Sequence, residues 1–226
     1  MARYILAASL IFALAATGCS TQDLERREFL NAAAQWSALL RDAGRGATHR
    51  MTYTTEPTGK KSGVVHLALP QKTSSIEQHR NQWIGILRDF HRIASRTPPT
   101  RWSDDAAFCE ALVLITMHRP GTDIGQGSVE RCWELLRRDT PIELEDDTKQ
   151  LLIRYLHLEA SAGSMSSEEI RSFLQRAIIS ELLRDGKVTE ASGQLEQFKG
   201  AGLTEQEYQQ MRETIRLYKL SEQGVH

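Results

Sequence analysis

The side chains of this 226-residue sequence that could do chemistry are seven histidines, three cysteines and one dense acidic run. The histidines are His49, His66, His79, His91, His118, His157 and His226. No two stand three or four apart, so no helix face offers a pair of imidazoles, and HExxH is absent; no metal is expected. In TGKKS (58–62) Lys61 stands where a phosphate loop needs Ser or Thr, and the upstream glycine is misplaced. GTDIGQGS (121–128) joins two helical segments instead of a strand and a helix, which rules out a dinucleotide turn. No cofactor is expected. There is no GxSxG elbow, and no serine has a partner that spacing alone identifies, so no catalytic residue is assigned. The run Glu143-Leu144-Glu145-Asp146-Asp147 has the composition of a cation site. It also lies in the first turns of an expected helix, where anions complement the dipole, and the solvated-face reading is preferred.

The elements that would position these residues are helices. Phe29, Ala33, Trp36 and Leu40 form one stripe at steps of four, three and four, ended by Gly44 and Gly46. A second helix is expected from the capping box Ser74-x-x-Glu77, with Ile76, Trp83, Ile86, Leu87, Phe90, Ile93 and Ala94 on its apolar face, stopping at Pro98-Pro99. A third follows Ser103 and runs to Pro120-Gly121, and a fourth covers Ser128 to Arg138. Thr140-Pro141-Ile142-Glu143 combines an N-cap, a first-turn proline and a capping-box glutamate, so a fifth helix is expected from there to Gly163. Ser166-x-x-Glu169 caps a sixth that ends near Gly186; a seventh occupies 188–199; Thr204-x-x-Glu207 caps an eighth reaching Leu220. The stretch 44–75 has no 3.6-residue period. It reads as a mobile linker, or as a short β-hairpin about Pro57–Gly63 built from HRMTYTT and VVHLAL. The expected fold is all-α, stacked antiparallel helical hairpins, with an N-terminal helix in 19–43 able to swing on that linker and an α-helical domain in 76–226.

The N-terminus carries Arg3, an apolar run from Tyr4 to Ala16, and then Ala16-Thr17-Gly18-Cys19. The run is too short to span a bilayer as a permanent helix and has the length of a signal-peptide core. The small residues before Cys19 resemble a bacterial lipobox, with Ala16 where leucine is commonest. The resemblance implies that residues 1–18 are a cleaved signal and that Cys19 is lipidated, anchoring the chain to a membrane. Ser20 after the cysteine implies outer-membrane sorting. Lipidation would consume Cys19 and leave Cys109 and Cys132 in an oxidising compartment, where an even pair invites a disulfide. They are equidistant from the Pro120-Gly121 turn, so an antiparallel hairpin would set them side by side. Closing a loop of about 24 residues would stabilise by ~3 kcal/mol on the chain-entropy account. Their spacing excludes a CxxC site.

AIISELLRDGKVTEASGQLEQF (177–198) looks like one tetratricopeptide unit. Ile178 and Leu182 match its first helix, Gly186 its turn, Val188 the position beside it, and Ala191, Leu195 and Phe198 its second helix. The distance to the next helix pair exceeds the ~34-residue period of such arrays, and the preceding hairpins show no comparable match, so the array would be irregular. Net charge is −1, with a quarter of the residues charged. This gives no basic excess for nucleic acid, and none is expected as a partner. By resemblance to other helical-repeat lipoproteins, the expected function is a membrane-tethered scaffold or accessory factor for a protein partner of the envelope. An envelope hydrolase and an accessory to a membrane sensor kinase are the alternatives. Trp36, Trp102, Tyr208 and Tyr218 are candidate interface aromatics, with core packing the commoner role for each.

Overall fold

A computed structural model describes residues 23–41, 54–55, 61–62, 76, 78–156 and 166–222. Eight helices account for most of them: α1 (23–41), α2 (Arg80–Ala94), α3 (Ser103–Met117), α4 (Ser128–Leu136), α5 (Asp146–Leu156), α6 (Ser167–Arg184), α7 (Val188–Phe198) and α8 (Glu205–Glu222). The fold is all-α. Within 44–75 the described residues are Thr54–Thr55 and Lys61–Ser62, which pair antiparallel as β1 and β2 in the register Thr54 to Ser62 and Thr55 to Lys61. The expected strand at 64–69 lies outside the described residues.

Chain neighbours pack as hairpins: α2 on α3, α3 on α4, α6 on α7, and α7 on α8, while α6 also receives α4 and α8. At the centre stands α3, where every residue from Asp105 to Met117 is buried. A helix buried all round must be covered on every side, and α2, α4 and α6 all pack against it. Capping is as the sequence foretells at two sites. Ser166 accepts from the Glu169 amide while Glu169 accepts from the Ser166 amide, and Thr204 and Glu207 exchange the same pair. Gly186 takes φ +72° in the turn between α6 and α7, a conformation that favours glycine. Ile178, Leu182, Val188, Ala191, Leu195 and Phe198 are all buried in this hairpin, as close packing of any two helices requires.

Two expectations are corrected. The fifth helix begins at Asp146 instead of at the Thr140 box. Ile142 and Leu144 both point into the core while Glu143 is exposed, a two-residue alternation that an extended chain satisfies and a helix cannot. The Glu145 amide is then held by Asp105 Oδ1 at 3.0 Å.

The first helix is no swinging tether. Phe29, Ala33 and Trp36 are fully buried in the same core as α2 and α3. Phe29 stacks on Trp102 at 5.0 Å, and Trp36 meets Phe90 edge-on at 6.2 Å. Arg96, at the end of α2, pairs with Glu25 and Glu28, and Arg26 pairs with Asp147 in the first turn of α5.

Candidate functional site

Polar side chains from three elements converge at the C-terminal end of α3. His118 ends that helix, its backbone leaving helical geometry at φ −55°, ψ 131°. Its Nδ1 lies 2.5 Å from Glu181 Oε2 and its Nε2 3.0 Å from Asp185 Oδ1. Ser128, the first residue of α4, donates to the same Glu181 oxygen at 2.9 Å. Arg184 Nη1 stands 2.9 Å from Glu181 Oε1, at ion-pair distance but off hydrogen-bonding angle, and donates to the Ile115 carbonyl at 3.2 Å. His118, Ser128 and Glu181 are buried. Gly125 lets the α3–α4 loop close on this end, since a Cβ there would stand 2.4 Å from the His118 amide nitrogen.

An imidazole with a carboxylate oxygen on each nitrogen satisfies both only as the two-proton cation. The Glu181 hydrogen bond raises the His118 pKa above its ordinary value; burial opposes this, and the charges of Glu181 and Asp185 reinforce it. A serine, a histidine and two acids suggest acyl transfer, but the connectivity is wrong for it. Ser128 bonds the carboxylate instead of the imidazole, and both imidazole nitrogens face acids, so this histidine offers the serine no base. The arrangement fastens α3, α4 and α6 together. A second tie works likewise: buried Glu110 of α3 meets His91 Nδ1 of α2 at 2.9 Å and Arg131 Nη2 of α4 at 2.5 Å.

Among the described residues Asp105 is the carboxyl most altered by its surroundings. It is 0% exposed, and burial pushes its pKa up to about 6, against hydrogen bonds from Thr148 and the Glu145 amide. The Thr148 contact falls short of good geometry: Asp105 Oδ2 and Thr148 Oγ1 are both buried without a well-formed partner. Asp105 does not line the concavity between α4 and α6, a space of about 230 Å³. That space has Leu135, Ile142, Ile170 and Leu174 as an apolar floor, and Arg138, Asp139, Glu168 and Arg171 at its edge. It suits an apolar side chain of a partner better than a reacting polar substrate.

Comparison with protein-family models, curated proteins and solved structures finds no match to this chain. The site rests on its own geometry.

Of the sites read from sequence, Cys19 lies outside the described residues. Cys109 and Cys132 are both buried, free thiols, so the expected disulfide is not formed. Two cysteines equidistant from the turn would meet if α4 lay along α3 alone, whereas α4 packs chiefly on α6. Burial pushes the Cys132 thiol up to about 12 and Cys109 well above its usual range; the charge of Glu181 on α6 adds to the first, and that of Asp105 to the second. Thiol alkylation of the folded protein should therefore leave both unmodified, with both reacting after unfolding. A recovered Cys109–Cys132 peptide pair would contradict this. Trp36, Trp102 and Tyr208 are buried, and Tyr218 is 41% exposed. His118 was visible in sequence only as a helix-end residue, because its partner Glu181 is 63 positions away. The acidic run divides: Asp146 and Asp147 occupy the first turn of α5, and Glu145 pairs with Arg101.

Proposed function

We propose that this chain is a lipid-anchored protein of a bacterial outer membrane, facing the periplasm, that binds a protein partner of an envelope assembly, secretion or cell-wall system. The observation that carries the binding role is the contrast between its two polar and apolar features. Ser128, His118, Glu181 and Asp185 are occupied with one another across three helices, while the concavity between α4 and α6 offers an apolar floor with charges of both signs at its edge. The Ala16-Thr17-Gly18-Cys19 run supports the anchor. Among the described residues no helix is long and apolar enough to cross a membrane, so attachment in this reading falls to Cys19.

Crosslinking in intact envelopes followed by affinity recovery of the chain is expected to yield a specific protein partner, lost when Leu135 or Leu174 is replaced by a charged residue in a variant that still folds. Recovery of no protein, together with glycan cleavage by the purified chain, would overturn the binding role. Cys19→Ala should abolish metabolic lipid labelling and release the chain from membranes. Unchanged attachment would refute the anchor.

A further inference from the structure

We infer that the pole of the bundle formed by the start of α1, the α2–α3 turn and the start of α5 lies against the headgroup surface of the bilayer, so that the domain stands in one fixed orientation. This rests on the anchoring reading above.

Only three residues, Ser20 to Gln22, separate Cys19 from Asp23, the first described residue of α1. Even fully extended, that spacing carries the start of α1 at most about 14 Å from the lipidated cysteine. A short leash alone would not orient a domain if its first helix were free to bend away. Here α1 is not free. Phe29, Ala32, Ala33 and Trp36 are at most 1% exposed in the common core, and its first turns are pinned by Glu25 and Glu28 to Arg96, by Glu28 to Arg92, and by Arg26 to Asp147. The position of Cys19 therefore limits the position of the whole bundle.

The same contacts identify what shares that end. Phe29 stacks on Trp102, immediately before α3, and Arg101 pairs with Glu145, immediately before α5. Pro98 and Pro99 in the α2–α3 turn are exposed, and Leu24 is 55% exposed at the start of α1. The opposite end of α3, a helix of 15 residues, lies about 22 Å away and leads into the loop carrying Asp123. The charges of the near pole indicate how it meets lipid. Arg26, Arg92, Arg96 and Arg101 each face a carboxylate of this chain, which weakens any pull toward anionic headgroups. The anchor sets the orientation, and neutral lipid suffices.

The test uses the full chain, processed and lipidated in cells, carrying one introduced cysteine, Pro99→Cys or Asp123→Cys, labelled with a fluorophore. Cys109 and Cys132 are buried and stay unlabelled under native conditions. In phosphatidylcholine vesicles doped with a headgroup-attached quencher, the probe at 99 is expected to lose most of its emission and the probe at 123 little. Added salt should leave the contrast unchanged, and a flexible ten-residue insertion between Gln22 and Asp23 should erase it. Equal quenching of the two probes on lipid-labelled protein would overturn the orientation alone. Absence of lipid on Cys19 would overturn the anchor and the orientation with it.

Discussion

Asp105→Asn is expected to make the protein more stable at pH 7 by roughly 2–3 kcal/mol, and to change little at pH 4. The carboxyl is fully buried, and burial holds its pKa at about 6 against 3.8 in a solvated chain. Between those values the folded protein keeps a proton that the unfolded chain has released. The stability contributed by the neutral form is present in full below about 3.8 and is lost as pH rises through about 6. Above that, the folded state carries a buried anion held by the Glu145 amide at 3.0 Å, with Thr148 beside it but poorly aligned. Asparagine keeps the acceptor for the Glu145 amide, replaces the orphaned Oδ2 with a donor that suits Thr148 Oγ1, and removes the charge. Urea unfolding across pH 4 to 8 would read this as a variant curve diverging upward from the wild type through the window near pH 5. Other groups act with opposite sign in the acid range. Burial would raise Glu207, but the Thr204 amide and Arg176 outweigh it and hold the carboxylate below its ordinary value. The difference between variant and wild type isolates Asp105. A variant less stable than wild type at pH 7 would mean that the anion itself holds the start of α5.

Sequence reading reached as far as local interactions reach. The stripes of α1 and α2, the boxes at Ser166 and Thr204, and the turn at Gly186 each depend on residues within about one helical turn of one another, and each is found in place. The Thr140 box failed although its local chemistry was as good. Ile142 and Leu144 are both drawn into the core, and Asp105, 40 positions away, takes the Glu145 amide. Local capping is worth about 1 kcal/mol, less than burying two large aliphatic side chains. The polar junctions were out of reach for the same reason. Neither the Glu181 partner of His118 nor the Arg131 partner of Glu110 follows from any spacing, because the first depends on how α6 meets the end of α3 and the second on how α4 lies against α3. The cysteine pairing erred in the opposite way, by taking a local symmetry about one turn as if it fixed tertiary packing.

Replacing His118 should have the largest destabilising effect of any single polar substitution in the junction. His118→Ala leaves Glu181, 0% exposed, without its 2.5 Å partner and Asp185 without its 3.0 Å one. Arg184 at 2.9 Å and the Ser128 hydroxyl remain, and one guanidinium off hydrogen-bonding angle does not replace the imidazolium. Breaking one side of a buried pair in this way costs about 3–5 kcal/mol, because the surviving charge stays desolvated. Ser128→Ala, which removes one neutral donor, should cost only about 1 kcal/mol. That ordering distinguishes a clamp from a nucleophile's relay, where the serine would dominate activity and barely touch stability. The pH dependence follows from the raised His118 pKa. A cation favoured by folding contributes stability that is present in full below the unfolded value near 6.5 and is lost as pH rises through the higher folded value. Wild-type stability should therefore fall from pH 6 toward pH 9, while His118→Gln should be weaker throughout and flatter over that interval. The Asp105 effect runs on through about pH 6 and overlaps the start of this interval, so the His118 effect is read with Asp105 replaced by asparagine. A level profile across the alkaline interval in the Asp105→Asn variant, whose His118 is intact, would mean that His118 is held neutral and that one of its two carboxylate contacts carries the proton instead.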